Sequence, residues 1–103
     1  NECSKNINRN VLDNLIDCDK INGKLFLRTR KEGDKFDLYK RNVSKSLKKL
    51  FCELNISVEK RDEIPIICDD GGVVWIYSVG TSARCHITDS SSNIIYVRGE
   101  NNG

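Results

Sequence analysis

Leu47, Leu50, Phe51 and Leu54 recur at i, i+3, i+4 and i+7, which makes one apolar stripe and predicts a helix over residues 44–55. Ser44 is its expected N-cap, and Lys45, Lys48 and Lys49 are expected on the opposite side near the helix start. Upstream, residues 24–31 alternate as a strand does: Leu25, Leu27 and Thr29 fall on one face, Phe26, Arg28 and Arg30 on the other. Gly33-Asp34 breaks this strand. Residues 35–43 are expected to form a loop, with Phe36, Leu38 and Tyr39 as possible anchors. A second short helix is expected over 57–63, stopped by Pro65. After it the period becomes two. Strands are expected over 65–68, 73–79 and 94–97, with a weaker one over 84–88 and turns at 69–72 and 90–93.

Residues 1–10 are polar and without periodicity, as in a tail or the end of a linker. Val11, Leu12, Leu15 and Ile16 form a short apolar patch, a strand or one helical turn, ahead of a turn at Asn22-Gly23. A strand, helices and then a β-meander predict an α+β domain over residues 11–98, with a short tail at 99–103.

The length of 103 residues fits one domain with a modest core. With 38% hydrophobic and 31% charged residues the composition is that of a folded, soluble chain. No apolar run approaches the roughly 20 residues of a membrane span, and the first residues lack the apolar stretch of a signal peptide. The chain contains no Met, so a piece of a longer protein is expected. Cys3, Cys18, Cys52, Cys68 and Cys85 are too widely spaced for a zinc cluster. Their odd number predicts reduced thiols in a cytoplasmic protein, most of them buried.

Charge changes the picture more than composition does. Net charge is only +2, but residues 24–49 hold ten Lys or Arg against Glu32, Asp34 and Asp37, a net of +7. The other 77 residues hold seven basic and twelve acidic groups, a net of −5. A charge run is commonly just a solvated face. Two features favour a polyanion partner instead. Lysines at a helix start oppose the macrodipole, a balance that a phosphate would reverse. Arg28 and Arg30 on one strand face can present two planar forks to phosphate oxygens. The candidate nucleic-acid contacts are therefore Arg28, Arg30, Lys31, Lys35, Arg41, Lys45, Lys48 and Lys49. Tyr39 could stack on a base or sugar, whereas Phe36 is expected in the core.

Catalytic chemistry finds little support. Cys85 and His86 adjoin, but neighbours on a strand point to opposite faces and make a poor nucleophile–base pair. Asp69-Asp70-Gly71-Gly72 lacks the alternating oxygen ligands of a calcium loop and reads as a turn. There is no glycine-rich phosphate loop. No catalytic residue, metal site or cofactor is expected in this chain.

Four stretches, in order, resemble the C-terminal domain of tRNA(Ile)-lysidine synthetases. They are Asp17-Cys18-Asp19-Lys20-Ile21 followed by Leu25-Phe26-Leu27-Arg28-Thr29-Arg30-Lys31-Glu32-Gly33-Asp34-Lys35-Phe36; Leu47-Lys48-Lys49-Leu50-Phe51; Ile56 with Arg61-Asp62 and Pro65; and Val74-Trp75-Ile76. The chain departs from that family at Arg41-Asn42-Val43, where glycines are usual, at Ser46, often Lys, and at Ser57, which replaces a Pro. The resemblance implies a three-layer α+β domain like one in the phenylalanyl-tRNA synthetase β subunit. It also implies a function: holding the acceptor stem of an isoleucine tRNA with a CAU anticodon. A separate N-terminal catalytic domain of the same protein would use ATP and lysine to convert the wobble cytidine to lysidine. Arg28, Arg30 and Lys48 match family positions, as does Arg61, although Arg61-Asp62 is equally expected to be an internal pair. The alternatives are a docking domain for other parts of the protein, without direct RNA contact, and a related tRNA-binding module as in the phenylalanyl-tRNA synthetase β subunit.

Overall fold

The computed structural model describes residues 14–39 and 43–97. A four-stranded antiparallel sheet forms the middle layer. It consists of β2 (Phe26–Arg28), β5 (Ile66–Asp69), β6 (Gly72–Ile76) and β7 (Gly80–Thr81), ordered β2-β5-β6-β7. On one side lie the hairpin β3 (Lys35–Leu38) and β4 (Val43–Ser46), helix α1 (Leu47–Glu53) and the short helix α2 (Val58–Arg61). On the other lie a ribbon of β1 (Leu15–Asp17) with β8 (Ile94–Tyr96) and two single-turn 3-10 helices, Cys18–Lys20 and Ala83–Cys85. The α+β class and the layering agree with the expectation.

Each face of the middle sheet has its own core. Ile66, Cys68, Val73 and Ile76 pack with Phe36, Leu47, Leu50 and Phe51 on the helix side. Val74, Trp75, Cys85 and Ile16 pack on the ribbon side. Counted back from Ile76, strict alternation would put Val74 on the helix side and Val73 on the ribbon side. A β-bulge prevents this: Ile67 pairs with Trp75 but Cys68 pairs with Val73, so Val74 is an extra residue in β6. The bulge lets two consecutive large side chains face the ribbon. Trp75 Nε1 then donates to Asn14 Oδ1 at 2.8 Å, and the Ser82 amide donates to the Val74 carbonyl at 2.7 Å.

Several expectations need correction. Residues 35–38 and 43 belong to paired strands rather than to a loop, with Phe36 opposite Lys45 and Leu38 opposite Val43, and residues 40–42 lie outside the described residues. Phe36 is buried as expected. Helix α1 starts at Leu47, because Ser44 and Ser46 belong to β4 and Ser46, not Ser44, is the cap, its Oγ accepting from the Lys49 amide at 3.2 Å. Leu54 is exposed, since it lies at the C-cap, where the stripe has turned away from the core. The strand expected over 24–31 shortens to three residues, and Arg30 lies beyond its end. The weak strand over 84–88 is replaced by the 3-10 turn Ala83–Cys85. Of the expected buried thiols, Cys68 and Cys85 are buried, Cys18 is half-buried and Cys52 is exposed. Val11, Leu12 and Cys3 lie outside the described residues.

Helix α1 ends in a Schellman motif. The Ile56 amide donates to the Phe51 carbonyl at 3.0 Å and the Asn55 amide to the Cys52 carbonyl at 3.1 Å, with Asn55 left-handed at φ 59°. An Ala side chain pays the left-handed cost that Gly escapes and Asn largely avoids. Asn55→Ala should therefore cost about 1 kcal/mol in denaturant unfolding, while Asn55→Gly should be close to neutral. Equal losses in both variants would contradict the motif's role.

Candidate nucleic-acid interface

The basic segment is organised by the turn at residues 31–34. The Asp34 amide donates to the Lys31 carbonyl at 3.1 Å, and Gly33 sits at φ +90° in the third turn position, where a side chain is disfavoured. Asp34 then does three things. Its carboxylate takes both arms of the Arg28 guanidinium at 2.8 and 2.9 Å and the Lys31 amide at 2.7 Å. Its carbonyl accepts the Leu47 amide at 3.0 Å. The turn is thereby fixed to the edge of the middle sheet and to the first residue of α1.

This arrangement opens a groove of about 680 Å³ between the turn, the start of α1 and helix α2. Leu47 and Val58 supply apolar lining. Arg30, Lys31, Lys48 and Arg61 bring four cations to it, with Glu32, Asp34 and Asp62 among the lining acids. Arg61 is positioned by its Nε, which donates to the Ile56 carbonyl at 2.8 Å. The expected Arg61–Asp62 pair is replaced by two separate contacts, because Asp62 accepts from Arg30 Nε at 2.8 Å. A groove of this charge, walled by two fixed arginines and two exposed lysines, suits a phosphate chain. The helix start itself offers less than its sequence promised, since the Leu47 and Lys49 amides are both taken by protein acceptors. The anion-binding case therefore rests on side chains.

A family model described as "TilS substrate C-terminal domain" matches residues 25–97. The chain belongs to this family. Proteins named tRNA(Ile)-lysidine synthase from Clostridium tetani and Clostridium acetobutylicum are 34% and 36% identical to it over 101 and 93 residues. These alignments cover 97% and 90% of this chain but only 22% and 20% of the relatives, so the chain spans about a fifth of their length. A crystal structure of a TilS C-terminal domain superposes with a TM-score of 0.67 at 28% identity, over 78% of this chain and 62% of that one. An N-terminal fragment of the phenylalanyl-tRNA synthetase β-subunit from Pyrococcus horikoshii gives a TM-score of 0.63 at 15% identity, over 90% of this chain and 30% of that one. At that identity the likeness is one of fold.

Within this TilS C-terminal domain the sequence-derived candidates separate. Arg30, Lys31 and Lys48 meet in the groove. Arg28 stands behind it, its guanidinium committed to Asp34 and only 18% exposed, so it does not share an open face with Arg30. Lys35 lies in a neighbouring cleft, also lined by Gly33, Asp34, Asp37 and Arg84. Lys45, on β4 rather than on a helix, is on the Phe36 side of the hairpin and pairs with Glu53 of α1. Lys49 is exposed on α1 outside the groove lining, and Arg41 lies outside the described residues. Tyr39 stacks on His86, with ring centroids 3.5 Å apart and planes within 8°. The Cys85 thiol points to the Lys20 carbonyl at 3.7 Å, and burial pushes its pKa up, which disfavours the thiolate a nucleophile needs.

Sequence reasoning passed over Asp69 and Arg84. The Asp69 carboxylate is fully buried, pairs with Arg84, and accepts the Asn22 and Gly71 amides at 2.8 Å each. Arg84 also donates to the Gly72 and Val73 carbonyls at 3.1 and 3.3 Å. A carboxylate opening a two-residue turn was the available signal.

Three carboxylates are held below the ordinary range. A hydrogen bond from the Ser91 hydroxyl lowers Asp17. Burial raises Asp34 and Asp69, but Arg28 and the Lys31 amide outweigh it at the first, and Arg84 with two amides outweighs it at the second. The folded state therefore holds these groups ionised at pH values where the unfolded chain takes up protons. Their contribution is complete above the unfolded carboxylate value of about 3.9 and is lost as pH falls from there through the lower folded values. The thermal midpoint should drop steeply below about pH 4. A midpoint that stays level on acidification would contradict this.

Proposed function

We propose that this chain is the tRNA-holding C-terminal part of a tRNA(Ile)-lysidine synthase, and that the groove beside the 31–34 turn takes phosphates of the tRNA acceptor stem. One observation carries this reading: four cations, Arg30, Lys31, Lys48 and Arg61, gather around one open groove in a chain whose relatives are named for tRNA modification. Contacts of this kind position a nucleic acid without reading its sequence. Lys35 and Lys49 flank the groove and extend the grip. Arg28 acts indirectly, holding the turn that presents Lys31.

The reaction then belongs elsewhere in the protein. The N-terminal part would use ATP and lysine on the wobble cytidine of a CAU-anticodon isoleucine tRNA, in the cytoplasm, while this domain fixes the far end of the same molecule. Holding both ends turns an encounter in solution into a step with a high effective concentration.

One feature favours a docking role instead. β2 is an edge strand on which Phe26 and Leu27 are exposed, with Leu25 exposed just before it. An acceptor-stem minihelix separates the two readings. Affinity that falls as salt rises supports RNA binding. No affinity, together with tight association with the separated N-terminal part, supports docking.

A further inference from the structure

Arg30 and Asp62 form an ion pair across the groove that is unequal in its surroundings. The Arg30 side chain is 23% exposed, whereas that of Asp62 is 72% exposed. Asp62 is the residue that ends helix α2, and a single contact, Arg30 Nε to Asp62 Oδ1 at 2.8 Å, joins them. The arginine is thus packed in place, and the carboxylate is a well-solvated acceptor at the groove's edge. Such a solvated pair is weak and exchanges partners readily. A carboxylate and a phosphate offer an arginine the same acceptor geometry.

We propose that Asp62 occupies the position of a phosphate on Arg30 and must be displaced when RNA enters the groove, which makes it a built-in competitor that sets the groove's affinity. This rests on the groove being the RNA site. Asp62 keeps the Arg30 fork presented to the groove in the unbound domain. It also sets a threshold, because a polyanion that offers Arg30 only one poorly placed phosphate gains nothing over the carboxylate already there. An acceptor stem that engages Lys31, Lys48 and Arg61 at the same time gains three further contacts and displaces it. The carboxylate therefore lowers the affinity of the fitted duplex by the strength of the broken pair, and that of a weak, irregular binder by no more than the Arg30 contact it forgoes.

The test compares this chain with Asp62→Asn, Arg30→Gln and the double variant, using an acceptor-stem minihelix and a single-stranded oligoadenylate of equal charge. Asp62→Asn should bind the minihelix about two- to fivefold more tightly, and oligoadenylate should gain by a smaller factor. The salt dependence should steepen by about one counterion, because no carboxylate is left to take up a cation on binding. In the Arg30→Gln background the gain should largely vanish. An equal gain in both backgrounds would mean that Asp62 acts only as a distant negative charge, and would overturn the exchange. If Lys48→Glu weakens binding but Asp62→Asn changes nothing, the role of Asp62 is overturned while the groove stands. If no variant and no wild-type chain binds RNA, both fail together.

Discussion

Replacing Asp69 with Ala should cost this domain about 3 kcal/mol of stability and lower its melting midpoint by about 15 °C. The size follows from what the carboxylate holds. It is fully buried and charged, so its removal deletes the hydrogen bonds from the Asn22 and Gly71 amides, each worth about 1.5–3 kcal/mol to a charged acceptor. It also leaves Arg84 beside the β5–β6 turn without its counter-charge. Arg84 is 27% exposed and keeps two backbone carbonyls, so that part is smaller than for a fully buried pair. Asp69→Asn keeps one acceptor oxygen and should lose less. Thermal unfolding followed by Trp75 fluorescence measures both variants. A melting point for Asp69→Ala within a few degrees of wild type would show that the Asp69 network is not what joins β5, β6 and the Asn22 turn.

Reversing both exposed groove lysines, as Lys31→Glu with Lys48→Glu, should reduce affinity for an acceptor-stem minihelix about 100-fold or more. Each substitution removes an attraction of about 1 kcal/mol and introduces a repulsion of similar size, and 1.4 kcal/mol is a factor of ten. Stability should move the other way. Lys48 is the second residue of α1, where a positive charge opposes the macrodipole and a glutamate complements it by about 0.3–1 kcal/mol. Tighter folding with much weaker RNA binding is the pattern expected of lysines kept for a ligand. Unchanged binding would move the interface elsewhere on the surface.

The parts of this structure that local patterns determine were legible in the sequence. Leu47, Leu50 and Phe51 are buried at the spacing that announced a helix, and Phe36 is a core anchor. Strands β5, β6 and β8 lie where β-branched runs placed them. The ordered motifs also pointed to the family that the chain belongs to. What stayed hidden depends on partners far along the chain or on turns. β4 reads Val-Ser-Lys-Ser, too polar to announce a strand, and it forms because β3 lies opposite. Two serines two residues apart both suit an N-cap, and strand pairing decides for Ser46. The ribbon joins Leu15 to Tyr96, a separation no local pattern reports.

The candidate site was legible as a charge surplus but not as geometry. Ten basic residues counted equally in the sequence, yet Arg28 is bound to Asp34 across a turn and Lys45 to Glu53 across a strand–helix junction. Arg61, outside the basic segment, completes the groove because α2 folds back beside the 31–34 turn. Charge composition locates a region, and ion pairing decides which of its charges face a ligand.

The most direct measurement is the salt dependence of minihelix binding, for the chain and for the Lys31→Glu, Lys48→Glu double variant. Four groove cations neutralising phosphates, less the one counterion that the displaced Asp62 takes up, predict a slope of log affinity against log salt of about −2 to −3 for the chain. The variant should show a slope shallower by about two. Parallel lines for the two proteins, or an affinity independent of salt, would contradict a phosphate-binding groove beside the 31–34 turn.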